Sequence, residues 1–480
     1  MTSQEVEQMS ETASKFIMLK NYQETMDQLK KIENAIMASC MNSSATSDLK
    51  INFYSNLMNI VSEVANNSKS YHFYEEDLTL LKSCFTCLRN SFYNNDKNQY
   101  LIAKDKTCTT TMASILNSLM IMDSHLLVNS NRGAVFNDQF KQVFDNTLSA
   151  CISFFINLVT GNRDVRKIIW PLLQQKILDM VHFSGPEVNH IGAALLHQFL
   201  IEDDLKEDII RRGYDEKLLQ NLLDTYIHEG QHACFALYCI DILIKSVYVI
   251  PSTWYSLKPV EAVLLLEILI SNTENDCVPD SVLLFFIEFF KKQSDHFLKL
   301  QNNSVNLNPQ VLIQTAMLIC SAAASDHYRS ILQTDKSLLI STFYVVKSMT
   351  NLGASLKFEP RYSGLSEAAV MEEIKSHPMY GFKCNLIRLL ASLVYQHKVN
   401  QDTVRELNGI LMFLENSQYD AFNPFIREAC IFALRNLLEG NEENQRVVSS
   451  LQLRGPAENE AIKKLGLNVS VNNGKLSLHH

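Results

Sequence analysis

Apolar residues recur along most of the chain at the three- and four-residue spacing of amphipathic helices, and one pattern of helix end and helix start returns several times. Its first copy is Leu88-Arg89-Asn90, followed eight residues after the Asn by Asn98-Gln99 and then by Leu101-Ile102. Three further segments follow the same template, beginning at Leu434, Leu390 and Phe155. More degenerate copies can be placed at His197 and Cys320. The spacing predicts a chain of repeated helical units.

Each copy is interpreted as an apolar helix that ends, a polar turn, and a new helix whose start is marked by Asn acting as an N-cap. The last unit is the clearest, with Asn423 as N-cap, Pro424 at the first helical position and Gly440 closing the helix. Its apolar face is predicted to comprise Phe425, Ile426, Ala429, Cys430, Ala433, Leu434 and Leu437. Such a face needs neighbours to cover it. The pattern therefore predicts an all-α, right-handed α-solenoid of armadillo- or HEAT-like helical repeats.

Polar interruptions divide this array. Four parts are predicted: N-terminal armadillo-like repeats over 1–205, irregular helical repeats over 206–350, a linker over 351–375 with Pro360 and Gly364, and a C-terminal armadillo domain over 376–470. A polar stretch around Ser39 to Lys50 is predicted to be a loop. Beyond Leu453 we expect a short helix and a loose tail.

Composition supports a helical protein. Of 480 residues 46% are hydrophobic and 20% charged, and there are only 14 Gly and 10 Pro, too few for the many turns of a β-rich fold. The net charge of −9 argues against binding to nucleic acid, and no apolar run is long enough for membrane insertion. Eleven cysteines, mostly within apolar helical stretches, are typical of a reducing compartment. No cofactor is expected.

Three C-terminal stretches carry a family resemblance. They are GFKCNLIRLLASLVYQ (381–396), NQDTVRELNGI (400–410) and NPFIREACIFALRNLLEGNEENQ (423–445), and they resemble the C-terminal domain of the ataxin-10 family. Upstream of residue 376 the chain resembles a generic armadillo or HEAT array. The resemblance implies a non-enzymatic, cytoplasmic protein, with a perinuclear position compatible with it. It also implies roles in cytokinesis and in neuron survival and neurite outgrowth.

The predicted function is binding of other proteins through a concave helical surface. The sequence is also compatible with self-association into homo-oligomers. The candidate face comprises Asn90, Asn157, Arg388, Ser392, Arg427, Phe432, Arg435 and Asn436. Importin-like armadillo proteins use an Asn with a Trp four residues earlier to hold a basic peptide. The corresponding positions here are Asn90, Asn157, Ser392 and Asn436. The residues four before them are Thr86, Ser153, Arg388 and Phe432. That departure weakens an importin-like interpretation. Instead, the Asn side chains could cap their own turns or bridge neighbouring repeats, and the three arginines could meet an acidic or phosphorylated partner.

Two motifs suggest chemistry from another class. His228-Glu229-Gly230-Gln231-His232 matches the H-E-x-x-H zinc hydrolase pattern, but Gly230 is unfavourable inside the helix that such a site requires. Cys84-Phe85-Thr86-Cys87 is a C-x-x-C motif without a second cysteine pair, so we interpret it as buried thiols. Cys234 and Cys239 are interpreted in the same way. No catalytic or metal-binding residue is therefore assigned.

Overall fold

The computed structural model describes residues 22–41, 51–67, 73–92, 95–131, 138–183, 186–211, 215–298, 308–355, 367–377, 379–418, 420–451, 468–472 and 475–479. The chain divides into two compact units, Met1–Ile268 and Leu269–His480. Apart from one short hairpin, the described elements are helices. The prediction of an all-α fold built from armadillo-like helical repeats is confirmed.

Within the described residues, the first unit holds twelve α-helices and the start of a thirteenth. They are α1 (Tyr22–Met41), α2 (Ile51–Asn67), α3 (Glu75–Asn90), α4 (Asp96–Lys104), α5 (Lys106–Asn131), α6 (Asp138–Val159), α7 (Arg163–Phe183), α8 (Pro186–Leu200), α9 (Asp203–Arg211), α10 (Asp215–Glu229), α11 (Cys234–Leu243), α12 (Val249–Thr253) and α13 (Pro259–Thr273). Short 3₁₀ turns at Gly230–Ala233 and Trp254–Ser256 link α10 to α11 and follow α12.

The second unit continues the alternation of short and long helices. They are α14 (Asp280–Leu298), α15 (Pro309–Ala322), α16 (Asp326–Gln333), α17 (Lys336–Ser355), α18 (Glu367–Ser376), α19 (Phe382–Val394), α20 (Lys398–Glu406), α21 (Gly409–Glu415), α22 (Ile426–Leu438) and α23 (Glu442–Ser449). They are followed by strands β1 (Asn468–Asn472) and β2 (Lys475–His479), which pair antiparallel.

Long helices of successive repeats lie side by side in the same direction. In the first unit, the Thr147 hydroxyl of α6 donates to the Leu78 carbonyl of α3 at 3.0 Å, near the start of α3. One to two turns further along both helices, the rings of Phe154 and Phe85 meet at 5.7 Å. Both rings are fully buried, so each apolar face is covered by the next repeat.

Three glutamine side chains tie the repeats together by the same double hydrogen bond. The Gln99 amide donates to the carbonyls of Asn157 and Thr160 at the end of α6, at 2.8 and 2.9 Å. Gln401 donates to Asn436 and Glu439 at the end of α22, at 2.9 and 3.2 Å. In the same way Gln333 reaches Ser392 and Tyr395 at the end of α19. Because a helix leaves its last carbonyls unbonded, each glutamine completes the end of the following repeat's long helix.

The predicted helix start in the repeat template is wrong by three residues. Helix α4 is capped by Asn95, whose side chain accepts from the Asn98 amide at 3.0 Å, and α23 is capped by Asn441 in the same manner. The template residues Asn98 and Asn444 lie inside the first turn, buried. Their side chains donate back seven residues, to the carbonyls of Ser91 and Leu437. They therefore close the preceding helix rather than open the next one.

Asn423 also differs from the sequence-based expectation, and Gly409 has a packing role. Helix α22 begins at Ile426, and Asn423 instead accepts from the Cys384 amide of α19 at 3.1 Å. The left-handed residue after α20 is Asn408, with φ of 62°, whereas Gly409 begins α21. A Cβ on Gly409 would collide with the Val404 side chain and lie 2.8 Å from the Val404 carbonyl oxygen. Gly409 is thus required for close packing. Gly440, with φ of 65°, follows α22 as predicted.

The ends of the predicted linker and the C-terminal segment depart from expectation. Residues 351–355 belong to α17 and 367–375 to α18, while 356–366 lie outside the described residues.

The predicted loop at 39–50 begins within α1, which extends to Met41, and its remainder also lies outside the described residues. Instead of a loose tail, residues 468–479 contain the β1–β2 hairpin. The four-part domain division itself stays a prediction.

Within the described part of the chain, the helices do not include one with the length and apolar character needed to cross a membrane.

Replacing Gln401 with Ala should lower the free energy of unfolding by about 1–3 kcal/mol, because it leaves two carbonyls at the end of α22 without their buried donor. Denaturant unfolding followed by circular dichroism measures the change. Gln445→Ala is the matched control, since the exposed Gln445 amide donates to Leu438 of its own repeat. An equal loss in both variants would contradict the inter-repeat role.

Replacing Gly409 with Ala should destabilise the protein by about 1–3 kcal/mol, since the added methyl group must displace the buried Val404. The thermal midpoint should fall accordingly, while Val399→Ala, at a side chain that is 62% exposed, leaves it nearly unchanged. A Gly409→Ala protein as stable as the unmodified chain would show that α20 and α21 can separate at little cost.

Candidate protein-binding face

Helices α19 and α22 are equivalent long helices of successive repeats, and they run in parallel. Near their starts, Asn423 accepts from the Cys384 amide, and near their ends the Asn436 side chain donates to the Ala391 carbonyl at 3.0 Å. These two hydrogen bonds fix the longitudinal register of the pair. Side chains on the outer sides of the two helices therefore belong to neighbouring repeats held in a fixed register.

The phase of α22 decides which of its side chains reach solvent. Its buried residues are Ile426, Ala429, Cys430, Ala433, Asn436 and Leu437, spaced three or four apart. Phe425, Ile431 and Phe432 are 61%, 56% and 45% exposed. The expectation that Phe425 belongs to the buried face is therefore wrong, because it precedes the helix and lies outside the buried stripe.

The structure brings part of the predicted face together. Arg388 on α19 and Arg427, Phe432 and Arg435 on α22 are all exposed. Ser392 is half-buried, and its carbonyl accepts from Gln333. Exposed arginines beside exposed apolar side chains resemble the centres of protein interfaces, where aromatic residues and Arg are enriched.

Asn436 does not belong to an exposed face. Its side chain is 2% exposed and is held between the repeats by the bond to Ala391. The interpretation of Asn436 as a bridge between neighbouring repeats is thus supported. An importin-like role would require this amide to be available to a peptide.

The two predicted asparagines of the first unit have different environments. Asn90, at the end of α3, is buried, and its side-chain oxygen accepts from the Arg89 guanidinium at 3.1 Å. Asn157, near the end of α6, is exposed, while its backbone carbonyl accepts from Gln99. Asn90 is therefore not presented on an open surface, whereas Asn157 remains a candidate.

Asp420 orders the turn that leads into α22. Its carboxylate accepts from Lys383 of α19 at 2.8 Å, from the Phe422 amide at 3.0 Å and from the Asn423 side chain at 3.1 Å. Partial burial acts to raise the pKa of this carboxyl, but these donors outweigh burial and hold the pKa below its ordinary value of 3.8. The charged carboxylate thus anchors the start of the exposed face to the preceding repeat.

The H-E-x-x-H segment lacks the geometry of a zinc site. Helix α10 ends at Glu229, Gly230 has φ of 58°, and His232 follows in a 3₁₀ turn, so the two histidines do not share one helical face. A ring nitrogen of His228 lies 2.8 Å from the Asp224 carbonyl, and its side chain points to solvent. Among the residues that the structure describes, no group of three His, Cys, Asp or Glu side chains is placed to hold a metal ion.

The C-x-x-C thiols are buried, as predicted. Burial raises the pKa of the Cys84 thiol to about 12, and the Cys87 thiol lies 3.7 Å from the Leu29 carbonyl of α1. Cys239 is also buried, against the Ala193 carbonyl, whereas Cys234 is only half-buried. At neutral pH the buried thiols act as small packing groups.

Two features are absent from the sequence-based predictions. The first is Ile431, which is exposed, and whose helical phase relative to Cys430 and Ala433 places it off the buried stripe. In the first unit, His190 and His197 of α8 lie against Phe235 and Tyr238 of α11. These rings do not occupy the position four residues before a template Asn, so the aromatic-ladder pattern does not predict them.

Parallel long helices, short capped helices and an exposed outer face define an armadillo-like helical-repeat protein. Residues 382–479 match the family model of the Spinocerebellar ataxia type 10 protein domain. Human Ataxin-10 is 24% identical over 479 residues, which cover 95% of this chain and 88% of that protein. An Ataxin-10 homolog from Dictyostelium discoideum is 48% identical over 91 residues, 19% of this chain and 15% of that one. Residues 382–479 therefore match the ataxin-10 domain family, and the chain as a whole is similar to Ataxin-10 proteins.

Solved structures show more distant similarity. SYS-1 matches with a TM-score of 0.36 and 9% identity, over 90% of this chain and 75% of that one. A structure from work on the phosphorylation-controlled interaction between cadherin and beta-catenin matches with a TM-score of 0.35 and 11% identity, over 88% and 68%. Since both scores lie below 0.5, the repeat assignment is based on this chain's own helices.

Replacing Asp420 with Asn should reduce stability at neutral pH and also reduce its loss on acidification. A carboxyl whose pKa is lowered in the folded state stabilises the fold above its ordinary pKa and loses that contribution as pH falls below about 4. Urea midpoints at about pH 7 and about pH 3 measure both effects. Glu415→Gln, at an exposed side chain of the same unit, is the control. Equal acid sensitivity of Asp420→Asn and the unmodified protein would contradict the assignment.

Proposed function

We propose that the protein is a non-enzymatic scaffold that binds other proteins through the exposed face of α19 and α22. The observation that carries this proposal is the exposure of Phe425, Ile431 and Phe432. They lie on α22 or directly before it, on the helix that also bears Arg427 and Arg435. Apolar side chains exposed together favour a partner that removes them from water. Similarity to Ataxin-10 proteins supports a scaffold rather than an enzyme.

The arginines favour an acidic or phosphorylated complement. Arg388, Arg427 and Arg435 form no ion pair within the described residues, so their guanidinium groups remain available. Arginine can bind carboxylate or phosphate with two parallel hydrogen bonds. A partner segment with apolar anchors and flanking acidic groups would therefore match this face.

At the cellular level, we propose a cytoplasmic adaptor that acts in cytokinesis and in neuron survival and neurite outgrowth. The support for these roles is the family resemblance of the C-terminal stretches. Depleting the protein and re-expressing a Phe432→Asp variant would connect the cellular role to the face. A variant that restores cell division and neurite length as well as the unmodified protein would count against that connection.

Phe432→Asp with Arg435→Glu should remove the partners that bind this face, because an exposed aromatic side chain and its neighbouring cation are both replaced by acids. Proximity labelling in cells compares this double variant with the unmodified protein and with a chain truncated before residue 376. We expect the double variant and the truncation to lose a shared set of partners. With a purified member of that set, affinity should fall at least about tenfold.

Val399→Asp is the matched control, since Val399 is an exposed apolar residue of α20 in the same unit. It should retain every partner and the full affinity. If the double variant, folded by circular dichroism, recovers the same partners as the unmodified protein, the face is wrongly assigned.

A further inference from the structure

A cluster of four aromatic rings lies between α8 and α11 in the first unit. The Cys239 thiol of α11 lies 3.4 Å from the Ala193 carbonyl of α8, which places the two helices side by side. Around this contact, the Phe235 ring lies 5.9 Å from those of His190, His197 and Tyr238. The His197 and Tyr238 rings are also 5.9 Å apart.

The cluster is open to solvent on one side. Tyr238 is 51% exposed, and Phe235, His190 and His197 are half-buried. A fully structural cluster of this size would be expected to bury its rings, as Phe85 and Phe154 are buried between α3 and α6. The α8–α11 rings are instead partly exposed.

Polar atoms beside the rings are left without hydrogen bonds. Within the described residues, the Nδ1 atoms of His190 and His197 and the Oδ1 atom of Asn189 are buried and have no hydrogen-bond partner. Burial lowers the pKa of His197, so its imidazole is neutral at neutral pH and one ring nitrogen can accept a hydrogen bond. The cluster therefore holds buried polar atoms whose hydrogen-bonding capacity is unused within the described residues.

The Glu229 carboxylate interacts electrostatically with His190 of the aromatic cluster. Glu229, at the end of α10, is half-buried, and burial raises the pKa of its carboxyl, although the charges of His190, His228 and His232 act in the opposite direction. In the part of the chain that the structure describes, Glu229 forms no ion pair with Lys or Arg. The negative charge thus lacks a permanent cationic partner.

Partly exposed aromatic rings, unsatisfied polar atoms beneath them and a carboxylate without a Lys or Arg partner all favour the same complement, a cation with several N–H donors. A guanidinium group stacks on aromatic rings and donates five hydrogen bonds from a planar fork, whereas an ammonium group is a compact and strongly hydrated charge. We propose that His190, His197, Phe235, Tyr238 and Glu229 form a site that binds an arginine side chain of a partner protein. This arginine site is separate from the C-terminal face and is independent of the function proposed for it.

A labelled peptide tests the site directly. The probe is a fluorescent Gly-Ser decapeptide with one central arginine, compared by fluorescence anisotropy with the same peptide carrying citrulline, which has a similar shape and no charge. The unmodified full chain should bind the arginine peptide at least about tenfold more tightly. Glu229→Gln and Tyr238→Ala should each weaken binding at least about fivefold.

Matched variants separate the site from general attraction to an acidic chain. Glu207→Gln and Tyr248→Ala change an exposed carboxylate and an exposed ring of the same unit and should leave affinity unchanged. The Phe432→Asp, Arg435→Glu protein should also bind normally, which distinguishes this site from the C-terminal face. Absence of arginine-peptide binding, equal binding of the citrulline peptide, or equal weakening by the control variants would each overturn the proposal.

Discussion

The constraint on which the repeats depend is the completion of helix ends by side chains from a neighbouring repeat. The last carbonyls of a long helix have no partner within that helix. Gln99, Gln333 and Gln401 each supply one amide to two such carbonyls. The oxygens of Gln99 and Gln401 in turn accept from Asn162 and Asn441, which cap the starts of α7 and α23. A sideways or longitudinal slip of one repeat would break several buried hydrogen bonds together, so these polar contacts fix register while apolar burial supplies most of the stabilisation.

The same bonding pattern adapts to different side chains. Where the template has Arg166 instead of Gln, the guanidinium donates to the Val159 carbonyl of its own repeat and pairs with Glu202 beyond the end of α8. His397 replaces Asn as the cap of α20, and its ring nitrogen accepts from the Asn400 amide at 3.3 Å. Both variations keep the same two parts. One is a donor side chain that reaches the next repeat, and the other is an acceptor side chain that caps the start of a helix. This explains how a degenerate sequence template can maintain one packing geometry.

Side chains of neighbouring repeats complete the helix ends. The outer sides of the long helices are therefore not needed for this purpose. In the C-terminal repeats the exposed side chains include arginines and aromatic residues, whereas in the first unit they include partly exposed rings of α8 and α11, one of which, His190, interacts electrostatically with Glu229. The two surfaces therefore differ in chemical character, one cationic and apolar, the other rich in acceptors. A scaffold with such surfaces can distinguish acidic from basic partner segments without changing its backbone.

The sequence by itself determined the helical class, the repeat template, the buried thiols of Cys84 and Cys87 and the family of the C-terminal stretches, because apolar periodicity and local residue identity record them. It also contained an unused signal for the hairpin, Val-x-Val and Leu-x-Leu flanking Asn472-Asn473-Gly474. Only the tertiary structure decided that Asn98 closes the preceding helix, that Asn436 bridges two repeats, that Gly409 packs against Val404, and that Phe425 is exposed while Asn90 is buried. The physical reason is that each of these roles depends on an atom from another helix or on the exact helical phase at a helix end. A side chain's identity states which hydrogen bonds it can form, but packing between repeats decides which partner it meets.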